Sequence, residues 1–248
     1  MTRVVKLTLA YDGTDYVGWQ RQAEGVSIQG LLEDALRPIE GRDVTVHGAG
    51  RTDAGVHALG QVASVQLTAT IDTTTLARAL NAAVPPDVRV LDAEEVPGNF
   101  HARFGATRKV YEYRIVNAPV VSPFIRRYVW HVIPPLNLDA IETASSALCG
   151  NHDFAAFQGA GTAVASTART IHRLEWTRPS AMDGPVVMEI EGDGFLRHMV
   201  RNIAGTLVEI GLGRRTPAEI TRILESRDRS QAGATAPAQG LFLRRVLY

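Results

Sequence analysis

The chain has 248 residues, of which 45% are hydrophobic and 21% are charged, a balance that is typical of a globular protein and excludes long disordered segments. The 26 basic and 26 acidic residues cancel, so the chain lacks the overall basicity of many nucleic-acid-binding proteins, although a local basic patch can still act. No apolar run reaches the ~18 residues of a membrane span, and a single cysteine, Cys149, excludes an intrachain disulfide.

The N-terminal residues and the cysteine content predict the compartment. Lys6 interrupts the first apolar stretch, so we expect no secretory signal. A chain with one cysteine is typical of a reducing compartment. We therefore expect a cytoplasmic protein without a membrane partner.

The first half of the chain predicts elements in the order β-α-β-β-α-β. Alternating apolar residues indicate strands, and apolar residues at helical spacing indicate helices. The predicted strands are residues 4–11, 43–47, 61–67 and 88–91. One predicted helix begins after Ser27 as its N-cap and ends near Pro38, and the other covers residues 74–83. This order is that of the ferredoxin-like unit.

The second half predicts the same order of elements. The predicted strands are residues 109–117, 170–176, 186–191 and 241–247, and the predicted helices are residues 138–149 and 195–210. Asn137 is the expected cap of the first helix. A capping box at Thr216 and Glu219 predicts one more short helix.

These patterns predict an α+β fold made of two ferredoxin-like halves. We expect mainly antiparallel sheets packed around a central catalytic cleft. Residues 1–100 form the first predicted domain, which carries a long loop at residues 48–60, and residues 101–248 form the second.

The loop at residues 48–60 is the segment best suited to chemistry. It is about twice as long as the ~2–6 residues that a plain connection needs, and it contains four glycines together with Arg51, Asp53 and His57. Glycines allow positive φ angles and close approach to a ligand. A carboxylate beside a guanidinium stays ionised and can act as a nucleophile or a base.

Two other interpretations of this loop remain open from composition alone. It can be a flexible loop with a solvated aspartate. His47, Asp53 and His57 can also be considered as ligands of a metal-dependent hydrolase, although their spacing matches no recognised metal motif.

The segment from Arg103 to Arg114 combines basic and aromatic residues. Tyr111 and Tyr113 fall on one face of a predicted strand. We expect Tyr113 to be a core residue and consider Tyr111 a candidate for stacking on a base, because aromatic and basic side chains together suit RNA.

Arg197 and Arg201 fall at positions i and i+4 of the predicted helix at residues 195–210. Two like charges at this spacing are slightly destabilising. The pair therefore indicates an anionic partner, either RNA phosphate or Asp53, unless both arginines are simply solvated.

The sequences GRTDAGVHA at residues 50–58 and FLRHMVRN at residues 195–202 resemble tRNA pseudouridine synthases of the TruA type. Further matching segments are YDGT, GWQ, HARF, HDF, RTI and TAPAQGL, at residues 11–14, 18–20, 101–104, 152–154, 169–171 and 235–241. These segments occur in the same order along the chain as in the family, so the resemblance extends over the whole chain.

The resemblance implies isomerisation of uridine to pseudouridine at positions thirty-eight to forty of the tRNA anticodon stem-loop, without cofactor or metal. The family's catalytic aspartate corresponds to Asp53 and the basic residue paired with it to Arg201. The stacking tyrosine corresponds to Tyr111, and Arg51 is expected near the flipped nucleotide. The family also implies a homodimer in which one tRNA contacts both subunits.

The alternative from another functional class is a non-catalytic RNA-binding module. A negative charge in the loop argues against it, because Asp53 would repel phosphate. With zero net charge, tRNA binding is expected to depend on local basic surfaces at residues 103–114, 197–201 and 214–215. We expect His57 and His198 to be structural.

Overall fold

The computed structural model describes residues 2–161, 164–179 and 184–248, which form two compact units. The N-terminal unit contains the residues up to Thr107 together with Phe242–Tyr248, and the C-terminal unit contains Arg108–Leu241. This division differs from the expected one in residues 101–107 and in the last strand. Both segments join the N-terminal unit because Ala102 and Val246 pack against its core residues Ala49 and Val62.

The described residues form ten strands, five α-helices and short 3-10 turns. The strands are β1 (Arg3–Tyr11), β2 (His47–Gly48), β3 (His57–Leu67), β4 (Val88–Val96), β5 (Arg108–Val116), β6 (Trp130–His131), β7 (Gly150–Asp153), β8 (Ala168–Thr177), β9 (Val186–Gly192) and β10 (Leu241–Leu247). The helices are α1 (Ile28–Glu40), α2 (Thr73–Ala83), α3 (Leu138–Ser146), α4 (Met199–Gly211) and α5 (Glu219–Ser226).

The N-terminal unit is built on the strand order β4-β1-β3-β10, with β2 paired to β3. β1 runs antiparallel to both β3 and β4, and β10 runs parallel to β3 at Phe242 and His57. The predicted order β-α-β-β-α-β is confirmed. The prediction of a strand at residues 43–47 is wrong, because only His47 and Gly48 pair with β3.

Helix α1 illustrates both a correct and an incorrect boundary. The Ser27 side chain accepts a hydrogen bond from the Gly30 N–H, as an N-cap does. The helix continues past Pro38 to Glu40, and Gly41 ends it with φ 73°. The expected end near Pro38 is therefore too early, since proline in the last turn removes only one backbone hydrogen bond and Gly41 supplies the left-handed cap.

The C-terminal unit is built on the strand order β5-β9-β8-β7, in which neighbouring strands are antiparallel. The short strand β6 adds to β5 in parallel. The Asn137 side chain caps α3 by accepting from the Ala140 N–H, as predicted. The short strands β6 and β7 were not predicted, because two to four residues carry too little periodicity. The α+β class with mostly antiparallel pairing is confirmed.

Within the described ranges, no helix is both long and apolar enough to cross a membrane.

Candidate active site

The loop predicted at residues 48–60 is shorter in the structure, because Gly48 belongs to β2 and residues 57–60 belong to β3. The remaining residues 49–56 connect β2 to β3 and contain Asp53. The loop is pinned at its first residues, where the Ala49 N–H donates to the Val62 carbonyl at 2.7 Å. It turns back at its centre, where the Val56 N–H donates to the Asp53 carbonyl at 3.1 Å and Gly55 adopts φ 76°. The loop is therefore a fixed turn rather than a free tether.

Residues 12–19 hold this loop by direct backbone contact. The Trp19 N–H donates to the Thr52 carbonyl at 3.0 Å, and Gly18 forms an isolated β-bridge with Asp53. Gly18 has φ 106°, and a Cβ there would lie 2.5 Å from the Thr52 carbonyl oxygen. A Cβ on Gly13 would lie 2.0 Å from the Val56 carbonyl oxygen. Only glycine allows these two segments to approach so closely.

Buried side chains of β1 and β3 also hold the loop. The Tyr11 hydroxyl and Thr52 Oγ1 are 2.9 Å apart, and Gln61 Nε2 donates to the Gly50 carbonyl at 2.8 Å. Burial raises the pKa of Tyr11 to about 12, against smaller lowering contributions from its hydrogen bonds to Thr52 and Gln61. The phenol is therefore protonated at neutral pH and remains available for this hydrogen bond.

Asp53 is half-buried at the turn of the loop. Its backbone is fixed on both sides, by the bridge to Gly18 and by the hydrogen bond from Val56. The backbone that carries the carboxylate is therefore held in a defined position. This is the arrangement that a nucleophile or a general base requires.

Arg51 is exposed on the same loop and is oriented by a chain of amide side chains. Its Nε donates to Gln20 Oε1 at 3.0 Å, and Gln20 Nε2 donates to Gln29 Oε1 at 2.6 Å. Gln29 in turn donates to Glu33 Oε1 at 2.9 Å on helix α1. The guanidinium direction is thus set by α1.

Tyr111 lies in the C-terminal unit on β5, opposite Ile190 of β9. Its ring is buried and packs edge to face on Phe195, with centroids 5.1 Å apart and an interplanar angle of 81°. Phe195 therefore fixes the plane of the tyrosine. Tyr113 is fully buried, as predicted, and its hydroxyl donates to the Pro237 carbonyl at 2.8 Å.

Arg201 lies in the first turn of α4 in the same unit. Its Nε donates to the Ala236 carbonyl at 2.8 Å, and its own carbonyl accepts from the Ala236 N–H at 3.1 Å. One of the five N–H donors of Arg201 therefore holds the side chain on the segment around Ala236. Burial raises the pKa of the nearby Tyr113, and the positive charge of Arg201 lowers this pKa by a smaller amount.

The predicted helix at residues 195–210 begins four residues too early, and this changes the interpretation of its arginines. His198 adopts φ 60°, and α4 begins at Met199. A Cβ on Gly159 would lie 2.7 Å from the His198 ring, so Gly159 makes room for this conformation. Arg197 lies outside the helix and donates to the Ala160 carbonyl at 2.7 Å. The predicted i, i+4 pairing of Arg197 with Arg201 is therefore wrong.

Several arginines of the predicted basic surfaces are ion-paired. Arg108 contacts Glu191 at 2.8 Å, and Arg114 contacts Glu112 at 2.5 Å. Arg215 contacts Glu209 at 2.5 Å. These pairs neutralise part of the positive charge that was expected to bind the tRNA.

The histidines considered as metal ligands have other roles. His57 is buried, and its Nδ1 accepts a hydrogen bond from the Gly13 N–H at 3.0 Å. Its ring stacks on Phe242 with the ring centroids 4.7 Å apart. The His47 ring packs on His101 at 5.0 Å. Across the described residues, no three His, Cys, Asp or Glu side chains are grouped as metal ligands.

The structure places Arg51 and Asp53 on one loop of the N-terminal unit, and Tyr111 and Arg201 on β5 and α4 of the C-terminal unit. Sequence reasoning missed the residues that support the loop, among them Tyr11, Gln20 and Gln61. Glycines in the YDGT and GWQ segments were the available signal, since both mark close backbone contacts.

Comparisons with known proteins agree over both units. The family model described as tRNA pseudouridine synthase matches residues 8–105 and 144–248. A protein named tRNA pseudouridine synthase A from Thermoanaerobacter sp. (strain X514) is 43% identical over 246 residues, which cover 99% of this chain and 100% of that protein. Proteins of the same name from Moorella thermoacetica and Myxococcus xanthus are each 46% identical, over 98% of this chain and over 99% and 91% of their own lengths.

Proposed function

This chain belongs to the tRNA pseudouridine synthase family, and we propose that it isomerises uridine to pseudouridine at positions thirty-eight to forty of the tRNA anticodon stem-loop. The observation that supports the proposal most strongly is the family match over residues 8–105 and 144–248, which include the Asp53 loop and helix α4. The alternative of a non-catalytic RNA-binding module is not supported, because relatives similar over their full length are named as synthases.

The reaction is an internal rearrangement. The bond between uracil N1 and ribose C1′ breaks, a bond between uracil C5 and the same C1′ forms, and the proton on C5 is replaced by one on N1. Substrate and product are isomers, so the balance needs neither an oxidant nor a reductant. We propose that no cofactor is required.

We assign the covalent or proton-transfer step to Asp53. The supported backbone on either side of Asp53 favours this role, because a reacting carboxylate must be held in a near-attack position. The half-buried setting reduces competition from water.

We assign the remaining roles from the family resemblance. A uridine stacked in a stem-loop must be extruded before it reacts, which costs a few kcal/mol. Tyr111 offers a plane fixed by Phe195 on which the extruded base can stack. Arg51 is assigned to the flipped nucleotide, and Arg201 is assigned to catalysis together with Asp53.

We further propose that the protein acts in the cytoplasm, where its tRNA substrate is found, as a homodimer in which one tRNA contacts both subunits. Light scattering of the purified protein, alone and with tRNA, tests the dimer. The protein alone is expected to have the mass of two chains, and the complex is expected to have the mass of two chains plus tRNA. A single chain in both samples contradicts the dimer.

The proposed reaction is tested by incubating the purified protein with an unmodified tRNA transcript and no cofactor, followed by mapping of pseudouridine. Pseudouridine is expected at positions thirty-eight to forty and not in a matched transcript with cytidine at those positions. EDTA is expected to leave the rate unchanged, whereas a metal-dependent hydrolase would lose activity. A transcript that remains unmodified contradicts the proposed function.

A further inference from the structure

A column of three rings lies on the N-terminal unit: one ring belongs to β2, just before the Asp53 loop, and two belong to the turn at residues 101–105. The ring centroids of His47 and His101 are 5.0 Å apart with an interplanar angle of 32°, and those of His101 and Phe104 are 4.4 Å apart with an angle of 38°. His47 is exposed, His101 is half-buried, and Phe104 is 78% exposed. We call His47, His101 and Phe104 the ring column.

The turn at residues 101–105 holds the ring column rigidly. His101 Nδ1 lies 3.1 Å from the Arg103 N–H and 3.4 Å from the Phe104 N–H and accepts from both. The Gly105 N–H closes the turn on the His101 carbonyl at 2.9 Å. The Ala102 N–H donates to Ser64 Oγ at 3.1 Å, which fixes the turn to β3. Phe104 is therefore exposed on a well-ordered backbone rather than on a mobile tip.

Electrostatics keep the central ring of the column neutral. Burial lowers the pKa of His101, and the electrostatic contributions of His47 and Arg103 lower it further. The imidazole is therefore neutral at pH 7, in agreement with an Nδ1 that accepts two hydrogen bonds. Neutral histidine and phenylalanine rings are surfaces on which unpaired bases stack.

A cation lies beside the exposed end of the column. The guanidinium carbon of Arg103 is 5.7 Å from the Phe104 ring centroid. Within the described part of the chain, no carboxylate pairs with Arg103. In contrast, Arg108 and Arg114 pair with Glu191 and Glu112. Arg103 is therefore available to a phosphate in a way that most arginines of the 103–114 segment are not.

A cavity of about 350 Å³ adjoins the other end of the column, and its size is within the range of small-ligand pockets. Its lining includes His47, His101, Arg42 and Asp43. The two charges of the lining are already paired, Arg42 with Glu40 at 2.9 Å and Asp43 with Arg37 at 2.6 Å. The cavity at this end is therefore lined by polar side chains whose charges are already neutralised.

We propose that the ring column and Arg103 form a second RNA contact, in which an unpaired nucleotide of the tRNA stacks on the exposed Phe104 ring at the end of the column and its phosphate binds Arg103. The proposal rests on tRNA being the substrate. It assigns a binding role to residues outside the loop of Asp53, and its ligand is a nucleotide that the enzyme holds but does not modify.

The test compares Phe104→Ala, Phe104→Trp and Arg103→Ala with the wild-type full chain, using an unmodified tRNA transcript labelled for fluorescence anisotropy. Loss of one stacked base is expected to raise Kd about 10-fold for Phe104→Ala, while tryptophan is expected to restore binding because it stacks equally well. Arg103→Ala is expected to reduce the salt dependence of Kd by about one phosphate contact. At saturating tRNA, kcat is expected to change little in each variant.

Leu91→Ala is the matched control. Leu91 is an apolar side chain of the same unit that is 58% exposed, but it precedes Asp92 on β4, where Glu94 and Glu95 follow. Glu94 and Glu95 are paired with Lys6 and Arg3, which leaves the neighbouring Asp92 to repel phosphate, so this variant is expected to bind tRNA like the wild type. Thermal unfolding of all variants checks that each is folded.

Unchanged Kd and salt dependence in Phe104→Ala and Arg103→Ala would overturn the proposal, and so would a Phe104→Trp variant as weak as Phe104→Ala. A change in oligomeric mass with no change in Kd would also overturn it and would assign the column to a protein contact. If the wild type binds tRNA with dependence on Phe104 but forms no pseudouridine, the proposed function fails and this inference stands.

Discussion

The Asp53 loop depends on individual residues that carry no chemistry. Gly13 and Gly18 allow two backbone segments to touch, and Tyr11 and Gln61 fix the loop through hydrogen bonds. Catalysis is sensitive to such support, because a displacement of about 1 Å at the reacting group can lower a rate about 100-fold. Residues that hold the loop should therefore be as important as those that line it.

Gly18→Ala is expected to lower turnover at least about 100-fold, because alanine is strained at φ 106° and its Cβ would displace the Thr52 carbonyl next to Asp53. Gly98→Ala is the control, since a Cβ there meets no atom within 4 Å. Pseudouridine formation and thermal unfolding are measured for both. A Gly18→Ala enzyme as active as Gly98→Ala would show that the close contact does not position the loop.

Gln20→Ala is expected to raise KM for tRNA about 3- to 10-fold with little change in kcat, because Arg51 loses the hydrogen bond that sets its direction. Gln22→Ala is the comparison, since Gln22 donates to the Val17 carbonyl and has no bond to Arg51. Steady-state kinetics separate KM from kcat. Equal KM values in the two variants would exclude a positioning role for Gln20.

At the scale of elements, helix ends are tied to neighbouring strands by side chains. Glu40 at the end of α1 accepts hydrogen bonds from Thr68 N–H and Ala69 N–H, just after β3. Burial alone would raise the pKa of the Glu40 carboxyl, but these bonds, together with the Thr68 hydroxyl and Arg42, lower it to about 2.

A depressed acid pKa stabilises the fold above the unfolded-state pKa and loses this contribution as pH falls through the folded-state value. The wild type is therefore expected to exceed Glu40→Gln in unfolding free energy at pH 7, and the difference is expected to shrink between about pH 4.5 and about pH 2. Denaturant unfolding at several pH values measures it. A difference that is independent of pH would contradict the assignment of the shift to Glu40.

Helix α4 is tied to two other segments by one buried amide. Asn202 Nδ2 donates to the Phe157 carbonyl at 2.7 Å, and Oδ1 accepts from Thr235 Oγ1 at 2.7 Å and from Arg229 at 3.1 Å. Asn202→Ala is expected to lower the unfolding free energy by about 2–4 kcal/mol, because three partners lose their bonds. Asn151→Ala, at an exposed site, is expected to change it by less than about 0.5 kcal/mol. Equal values for the two variants would contradict this account of α4.

Periodicity predicted the long elements of both units well, and short or tertiary-dependent features poorly. Strand β1 and helix α2 each begin within one residue of the predicted start. The start of α4 was missed because the left-handed His198 depends on space left by Gly159, which lies far away in sequence. The pairing of β10 with β3 was missed for the same reason, since no local pattern records which strand a distant segment joins.

For the whole molecule, sequence motifs identified the residues that carry chemistry, and the structure identified those that support them. Asp53 and Arg51 are recognisable because GRTDAGVHA is so specific. The ring column was not, because His47 and His101 are 54 positions apart in the sequence and meet only through β2 and the turn at 101–105. Charge behaved in the same way, since the ion pair between Arg108 of β5 and Glu191 of β9 neutralises an arginine that looks free in the sequence.

The proposed reaction depends on Asp53 acting as a charged, reacting group on a tRNA uridine. The most direct measurement is pseudouridine formation by Asp53→Asn, which keeps the size of the side chain and removes its charge, alongside the Kd for the same tRNA transcript. We expect turnover to fall at least about 100-fold, while tRNA affinity and thermal unfolding stay close to those of the wild type. Turnover by Asp53→Asn within about 10-fold of the wild type would contradict the account.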